Sequence, residues 1–159
     1  MAMHTWFECK IRYEKTMENG MNKKVTEPYL VDALSFTEAE ARIIEEMTPF
    51  ISGEFTVSDI KRANYSELFP SDEESADRWF KCKLIFITLD EKSGAEKKTS
   101  TQVLVQAADL RDAVKKLDEG MKGTMADYQI GMVSETPLMD VYPYSAEPND
   151  KPEFDPSKV

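Results

Sequence analysis

The stretch that decides the fold is WFECKI at residues 6–11, which recurs as WFKCKL at residues 79–84. The two stretches lie 73 positions apart and carry tryptophan, phenylalanine, cysteine and lysine at the same steps. Successive side chains of a β-strand point to opposite faces, so Cys9 is expected on one face and Trp6 on the other. A repeated strand of this kind predicts that the rest of the chain repeats as well.

The similarity continues along the chain at a spacing of 73 or 74 residues. LVDA at residues 30–33 matches LVQA at residues 104–107, and Phe55 matches Tyr128. The one-residue slips fall where loops are expected, and loops tolerate insertion. The sequence therefore predicts an α+β fold built by tandem duplication of a β-β-α-β unit. A short fourth strand is expected to end each copy, and one helix per unit is expected to pack on an antiparallel sheet.

Turn and cap signals separate the predicted elements of each copy. Gly20 and Gly94 follow the first strands, and glycine adopts the positive φ that a tight hairpin needs. The returning strands are predicted at residues 29–33 and 103–107. Ser35 and Asp109 precede the two helices, where such side chains accept backbone hydrogen bonds. Each helix then carries one apolar stripe, made of Phe36, Ala39, Ile43 and Met47 in the first and Leu110, Ala113, Leu117 and Met121 in the second.

Four parts of the chain follow from these boundaries. Residues 1–69 form the first predicted unit and residues 79–144 the second. The polar, acidic stretch 70–78 is expected to link them. Residues 145–159 contain three prolines, several acids and one aromatic residue. Because this composition cannot bury much apolar surface, a flexible acidic tail is expected there.

The composition limits the classes of function. The chain has 30 Asp and Glu against 20 Lys and Arg, which gives a formal charge of -10. Such a charge favours solubility and repels nucleic-acid phosphates at long range. No apolar run approaches the roughly 18 residues of a membrane span, and the N-terminus does not resemble a signal peptide. We therefore expect a cytoplasmic protein that does not enter membranes.

The residues that most often carry chemistry give no catalytic pattern. Cys9 and Cys82 lie on the apolar faces of their predicted strands, so we expect buried, reduced thiols rather than metal ligands. The single histidine, His4, lies outside the strand. The carboxylates of the first helix, such as Glu38 and Glu45, are expected on a solvated surface, although paired carboxylates can serve acid–base catalysis. Motifs for nucleotide, zinc and serine-hydrolase sites are missing, and no catalytic residue, metal ligand or cofactor is predicted.

A candidate binding surface lies on the outer faces of the repeated strands. Aromatic and basic side chains share these faces, a combination that stacks bases and contacts phosphates in single-strand binders. Apolar side chains are expected on the same faces, and so much apolar surface predicts cover by the other copy or by a partner subunit. The candidate surface residues are Trp6, Lys10, Arg12, Trp79, Lys81 and Lys83. The apolar residues expected beside them are Ile85, Ile87, Leu30, Leu104, Ile60 and Val133.

Two stretches resemble a known family. WFECKIRYEK at residues 6–15 and VDALSFTEAEA at residues 31–41 are similar to small uncharacterised proteins of Bacteroides-type bacteria and their phages, which carry a domain of unknown function. The resemblance extends to about residue 144 and implies no activity, cofactor or catalytic residue. It implies a phage or mobile-element setting, which favours small binding or regulatory roles over metabolism.

Three functions stay open from the sequence. The first is a non-catalytic protein-interaction or regulatory module with an unidentified protein partner. The alternative is single-stranded nucleic-acid binding through the tryptophan, lysine and arginine side chains of the outer faces. The third is an enzyme of unknown type. The oligomeric state is not predicted.

Overall fold

The computed structural model describes residues 5–124 and 127–143, and the chain divides into two compact units. Among these described residues, one unit comprises 5–63 and 140–143, and the other comprises 64–124 and 127–139. The described residues form a mixed α/β fold with two helices and eight strands in two sheets. His4 and the predicted tail at 145–159 lie outside the described residues.

The elements follow one another in the same order in both halves of the chain. They are β1 (Thr5–Thr16), β2 (Asn22–Ala33), α1 (Phe36–Met47), β3 (Phe55–Ala63), β4 (Glu67–Phe69), β5 (Arg78–Leu89), β6 (Glu96–Ala107), α2 (Leu110–Gly120), β7 (Asp127–Glu135) and β8 (Asp140–Tyr142).

Each sheet is built around one long antiparallel hairpin. In the first unit the strand order is β3-β1-β2-β8, with β1 and β2 as the hairpin. In the second unit β5 and β6 form the hairpin, β7 lies beside β5, and β4 lies beside β6. The turns contain Gly20 at φ 83° and Gly94 at φ 73°, as the hairpin prediction requires.

The fourth strand of each sheet comes from an unexpected part of the chain. Strand β8 pairs parallel with β2 of the first unit, and β4 pairs parallel with β6 of the second. The expected boundaries at 1–69 and 79–144 place β4 and β8 in the opposite units, and the expected sheets are wholly antiparallel. The structure differs on both points. A strand of three residues carries too little pattern to show which sheet it joins, so only the pairing decides.

Each helix covers one face of its own sheet. In the first unit Ala39, Ile43 and Met47 of α1 are buried against a cluster that includes Phe7 and Cys9. In the second unit Ala113 and Leu117 of α2 are buried with Phe80, Cys82 and Leu84, and Met121 is partly buried beside them. The predicted apolar stripes therefore form the helix–sheet cores.

The first residue of each predicted stripe stays outside these cores. Phe36 is 45% exposed and Leu110 is 51% exposed. The Phe36 ring instead lies edge-on to Phe7, with ring centroids 4.9 Å apart, and Arg62 stacks on both rings. Phe36 and Leu110 are the first residues of α1 and α2.

A β-bulge changes which residues of β3 face the helix. Lys10 pairs with Asp59 but Ile11 pairs with Val57, which leaves Ser58 as an extra residue. The bulge lets Val57 and Ile60 both contribute to the helix-side cluster although they are three residues apart. The expectation that Ile60 lies on the outer face is therefore wrong.

The second unit contains the same irregularity. Lys83 pairs with Met132 and Leu84 pairs with Ile130, so Gly131 is the extra residue of β7. Val133 consequently joins the helix-side cluster and not the outer face that was expected. A simple two-residue period cannot reveal a bulge, because one inserted residue reverses every later face.

The predicted helix caps are present. The Ser35 hydroxyl accepts a 3.1 Å hydrogen bond from the backbone N–H of Glu38, and the Asp109 carboxylate accepts one of 2.8 Å from Asp112. The carboxylates of Glu38 and Asp112 in turn accept hydrogen bonds from the residues that precede each cap, at 2.6 and 3.0 Å. At both helix starts, the cap side chain thus accepts a hydrogen bond from the first turn, and a side chain of the first turn accepts one from the residue before the cap.

The stretch expected to be a linker is fastened to the second unit. Ser71 donates its backbone N–H to the Gln106 side chain at 2.9 Å. Lys116 of α2 donates to the Ser71 hydroxyl at 3.1 Å and to the Glu73 carboxylate at 2.8 Å. Ala76 is 3% exposed. Three polar contacts and one buried methyl group therefore hold this stretch in place.

A helix cation has a similar role in the first unit. Arg42 of α1 donates to the backbone carbonyl of Asp32 and, at 3.1 Å, to that of Pro143. Pro143 directly follows β8, just as the Ser71 stretch follows β4. Each helix thus holds the chain beyond the parallel strand of its own sheet.

Replacing either helix cap with alanine should destabilise the protein. Ser35→Ala and Asp109→Ala each remove the acceptor of a helix N–H, and we expect each to lower the free energy of unfolding by about 1 kcal/mol. The measurement is the urea midpoint. Thr37→Ala, at an exposed position of α1, is the control and should leave the midpoint nearly unchanged. Unaltered midpoints in both cap variants would contradict the cap assignment.

Substituting Gly120 should reveal the contact between α2 and β4. A Cβ at Gly120 would lie 2.8 Å from Cδ1 of Phe69, whereas one at Gly53 would have no atom within 4 Å. We expect Gly120→Ala to lower the unfolding free energy by about 1 kcal/mol, since crowding outweighs the better helix propensity. Gly53→Ala should be neutral, and adding Phe69→Leu to Gly120→Ala should restore part of the loss. A Gly120→Ala protein as stable as the unsubstituted one would show that β4 does not pack there.

Candidate functional site

The six predicted surface residues are divided between the two units. Those of β1 lie in the first unit and those of β5 in the second, each set on the sheet face opposite the helix. This outer face was predicted correctly for Trp6, Lys10, Arg12, Trp79, Lys81 and Lys83.

The two tryptophans differ in exposure. Trp79 is only 5% exposed, and its carbonyl accepts hydrogen bonds of 2.9 Å from both the N–H and the hydroxyl of Thr136. Trp6 is partly buried, with Asp32 and Ala63 beside it on the neighbouring strands. Since base stacking needs an open ring face, Trp79 does not provide such a platform in this structure.

On the first unit the outer face alternates in charge. Lys10 lies opposite Asp59 of β3, and Glu8 lies opposite Lys61. Opposite charges in cross-strand pairs stabilise a sheet, and charges on an edge strand discourage pairing with another chain. Each of these two lysines therefore has an acidic residue opposite it on the neighbouring strand, which reduces the attraction of this face for phosphates.

On the second unit the corresponding places are uncharged. Lys83 lies opposite Met132 of β7, and Lys81 lies opposite Ser134. Met132 is 40% exposed. Met132 and Ser134 of the edge strand β7 thus stand at the places where β3 carries the charged residues Asp59 and Lys61.

The clearest difference between the units is at the ends of the hairpins. The outer face of β5 continues with three apolar side chains, of which the last is 69% exposed and the other two are partly buried. We call these residues the arm face: Ile85, Ile87 and Leu89. The matching places of β1, counted from the last pair of each hairpin, carry Arg12, Glu14 and Thr16.

Charged residues border the arm face on both sides. On β6, Glu96 lies opposite Leu89 and Lys98 lies opposite Ile87. On β7, Asp127 lies opposite Ile87. An apolar strip within a rim of both signs is typical of a protein-docking surface.

Part of this surface could not be found from the sequence. The returning strand was expected only at residues 103–107, but β6 begins at Glu96. Residues 96–102 contain no apolar side chain, so periodicity gives no strand signal there. Their pairing with the apolar end of β5 makes them a strand and places Leu89 beside Glu96.

A polar cluster on the helix side of the first sheet was not anticipated. The Glu27 carboxylate accepts hydrogen bonds from the hydroxyls of Tyr13 at 2.9 Å and Tyr29 at 3.2 Å, and Lys15 lies 3.7 Å from its second oxygen. Burial, and then the neighbouring Glu27, raise the pKa of both phenols. The phenols therefore stay protonated donors. No sequence signal points to this cluster, because the returning strand is predicted only at residues 29–33, whereas β2 begins at Asn22.

The two cysteines are buried free thiols, as predicted. Burial raises the pKa of Cys82 to about 11. Burial, reinforced by Glu8 and two further acidic side chains, raises the pKa of Cys9 to about 12. Because the thiolate is the reactive form, neither cysteine is activated as a nucleophile.

A polar cleft of about 590 Å³ lies beside the hairpin end of the first unit, lined in part by Arg12, Tyr13, Lys24 and Glu54. Its walls carry charges of both signs. Within residues 5–124 and 127–143, no group of three or more His, Cys, Asp or Glu side chains could hold a metal ion. Neither α1 nor α2, the two helices of the described residues, is long and apolar enough to cross a membrane.

Residues 5–144 match the family model described as a domain of unknown function, DUF4494. The match covers most of the chain, so the protein belongs to this family. A comparison with curated proteins finds no relative that matches.

Tryptophan fluorescence should distinguish the two outer faces. A Trp6→Phe protein reports on Trp79 alone, and a Trp79→Phe protein reports on Trp6 alone. Since Trp79 is 5% exposed, we expect weak acrylamide quenching in the first variant and stronger quenching in the second. Added single-stranded oligonucleotide should change neither signal. Strong quenching of Trp79 that an oligonucleotide suppresses would favour nucleic-acid binding instead.

Proposed function

We propose that this protein is a non-catalytic protein-interaction module that binds a protein partner through the arm face of its second unit. The observation that supports the proposal is the difference between the hairpin ends of the two units. Arg12, Glu14 and Thr16 of the first unit correspond to the arm face, which is apolar and bordered by charges.

We also propose that the two units are copies of one β-β-α-β unit with a fourth strand, produced by tandem duplication. The same strand neighbours, the same bulge and the same type of helix cap support this origin. If one fold accepts polar residues at the hairpin end of its first copy, the fold does not require apolar residues there. A binding role explains why apolar side chains that folding does not require are present on the surface.

The size of the arm face suits a weak or transient complex. Burial of apolar surface contributes roughly 25 cal/mol per Å². Three aliphatic side chains, extended toward Met132 on β7, form a surface smaller than that of a permanent interface. A regulatory contact that forms and dissociates fits this size.

The alternative of single-stranded nucleic-acid binding has less support. Lys81 and Lys83 lie on the second outer face, but the Trp79 beside them is buried. The formal charge of -10 opposes a polyanion at long range. An arm face of aliphatic residues offers neither phosphate contacts nor aromatic stacking.

The setting of the protein is part of the proposal. Two free, buried thiols agree with a reducing, cytoplasmic environment. The resemblance to proteins of Bacteroides-type bacteria and their phages favours a small regulatory binder in a phage or mobile element.

Site-specific photocrosslinking in the native host tests the proposal. A benzophenone amino acid replaces Leu89, and in the matched control it replaces Thr16, which occupies the last hairpin pair of the first unit. We expect a discrete protein adduct at position 89 that is missing at position 16. No adduct at position 89, or the same adducts at both positions, would count against the arm face as a docking surface.

A further inference from the structure

We infer that the arm face binds a second copy of this chain, so that the protein forms a two-fold dimer through its second unit. This inference rests on the proposed function, because it names the occupant of the same surface. A two-fold interface must be self-complementary, since the same residues serve both partners. The arm face and its charged border meet this requirement.

The apolar residues and charges lie in two parallel rows. Ile87 and Leu89 are two residues apart on β5, and Lys98 and Glu96 lie opposite them on β6. Pairs of residues at this spacing share one face of a strand. One basic residue, Lys98, and one acidic residue, Glu96, therefore lie next to each other along the same apolar strip.

A second copy that lies antiparallel, face to face, completes both rows. A two-fold axis between Ile87 and Leu89 places Ile87 of one chain against Leu89 of the partner chain. The same operation places Lys98 of each chain opposite Glu96 of the other, so two equivalent ion pairs lie along one side of four apolar side chains. A two-fold axis along β5 would instead place Lys98 of each chain opposite Asp127 of the other, so Lys98 would not pair with Glu96.

The first unit does not offer this surface. Its last hairpin pair is Thr16 and Asn22, whose side chains hydrogen-bond to each other at 3.0 Å. Its next outer pair is Glu14 and Lys24. Polar groups gain little from desolvation, so self-association through these two pairs is not expected.

The net charge sets the conditions under which the dimer forms. Two chains with a formal charge of -10 repel each other, and salt screens this repulsion over about 8 Å at physiological ionic strength. Because the apolar contact is small, we expect a reversible dimer, populated at micromolar to millimolar concentrations, in the range of weak interfaces.

Sedimentation equilibrium of the full chain measures the association. We expect a monomer–dimer equilibrium that Leu89→Glu weakens by at least about tenfold, since a buried, unpaired carboxylate then opposes the contact. The matched variant Thr16→Glu should leave the constant unchanged. Leu89 is 69% exposed, so its replacement should not impair folding, which circular dichroism verifies.

Charge reversal tests the antiparallel arrangement itself. Lys98→Glu and Glu96→Lys should each weaken self-association roughly tenfold, because each places like charges across the axis. Mixing the two variants should restore a heterodimer, and so should combining both substitutions in one chain. This recovery requires Lys98 to lie opposite Glu96 of the partner chain, and a merely structural effect would not produce it.

The outcomes separate this inference from the proposed function. A monomer at every concentration, together with a crosslink from position 89 to a different protein, would overturn the dimer and leave the docking surface intact. A dimer unaffected by Leu89→Glu would place self-association elsewhere and overturn the inference. The absence of both dimer and crosslink would overturn both proposals.

Discussion

The parallel pairing of β8 with β2, and of β4 with β6, is the constraint on which the rest of the structure depends. Each of these strands has three residues, and each joins the sheet that does not contain the β-strand immediately before it. The chain therefore passes from the first unit to the second and returns. A fragment ending at residue 69 would contain β4 without its sheet and would lack β8 altogether.

The contacts around these short strands show how they are held. Leu30 on β2 pairs with Val141 of β8, and Leu104 on β6 pairs with Leu68 of β4. Both leucines are fully buried although they point away from the helix of their own unit. Arg42 and Lys116 then hold the residues that follow each strand. Apolar burial combined with one helix cation compensates for the few backbone hydrogen bonds of a three-residue strand.

In each unit the helix packs on one face of the sheet, and the residues of the candidate binding surface lie on the other face. Near the helix, Cys9 and Cys82 and their neighbours form closed cores. On the opposite face, the outer residues at the hairpin ends differ between the units. The first unit has polar pairs there, whereas the second has the arm face, from which both the docking surface and the dimer are inferred.

The sequence by itself determined the parts that depend on local pattern. Alternation placed Cys9 and Cys82 in the cores, Ser35 and Asp109 marked the helix starts, and the repeated motif located both hairpins. These features follow from strand and helix periodicity and from cap chemistry, which act over a few residues.

Only the tertiary structure decided the features that depend on pairing between distant strands. The bulge at Ser58 turned Ile60 toward the helix, and pairing with β5 made residues 96–102 a strand although they lack apolar periodicity. Strand β4 was visible in the sequence, but its partner was not. A backbone hydrogen bond carries no side-chain signature, so no local pattern can specify which distant edge a short strand will join.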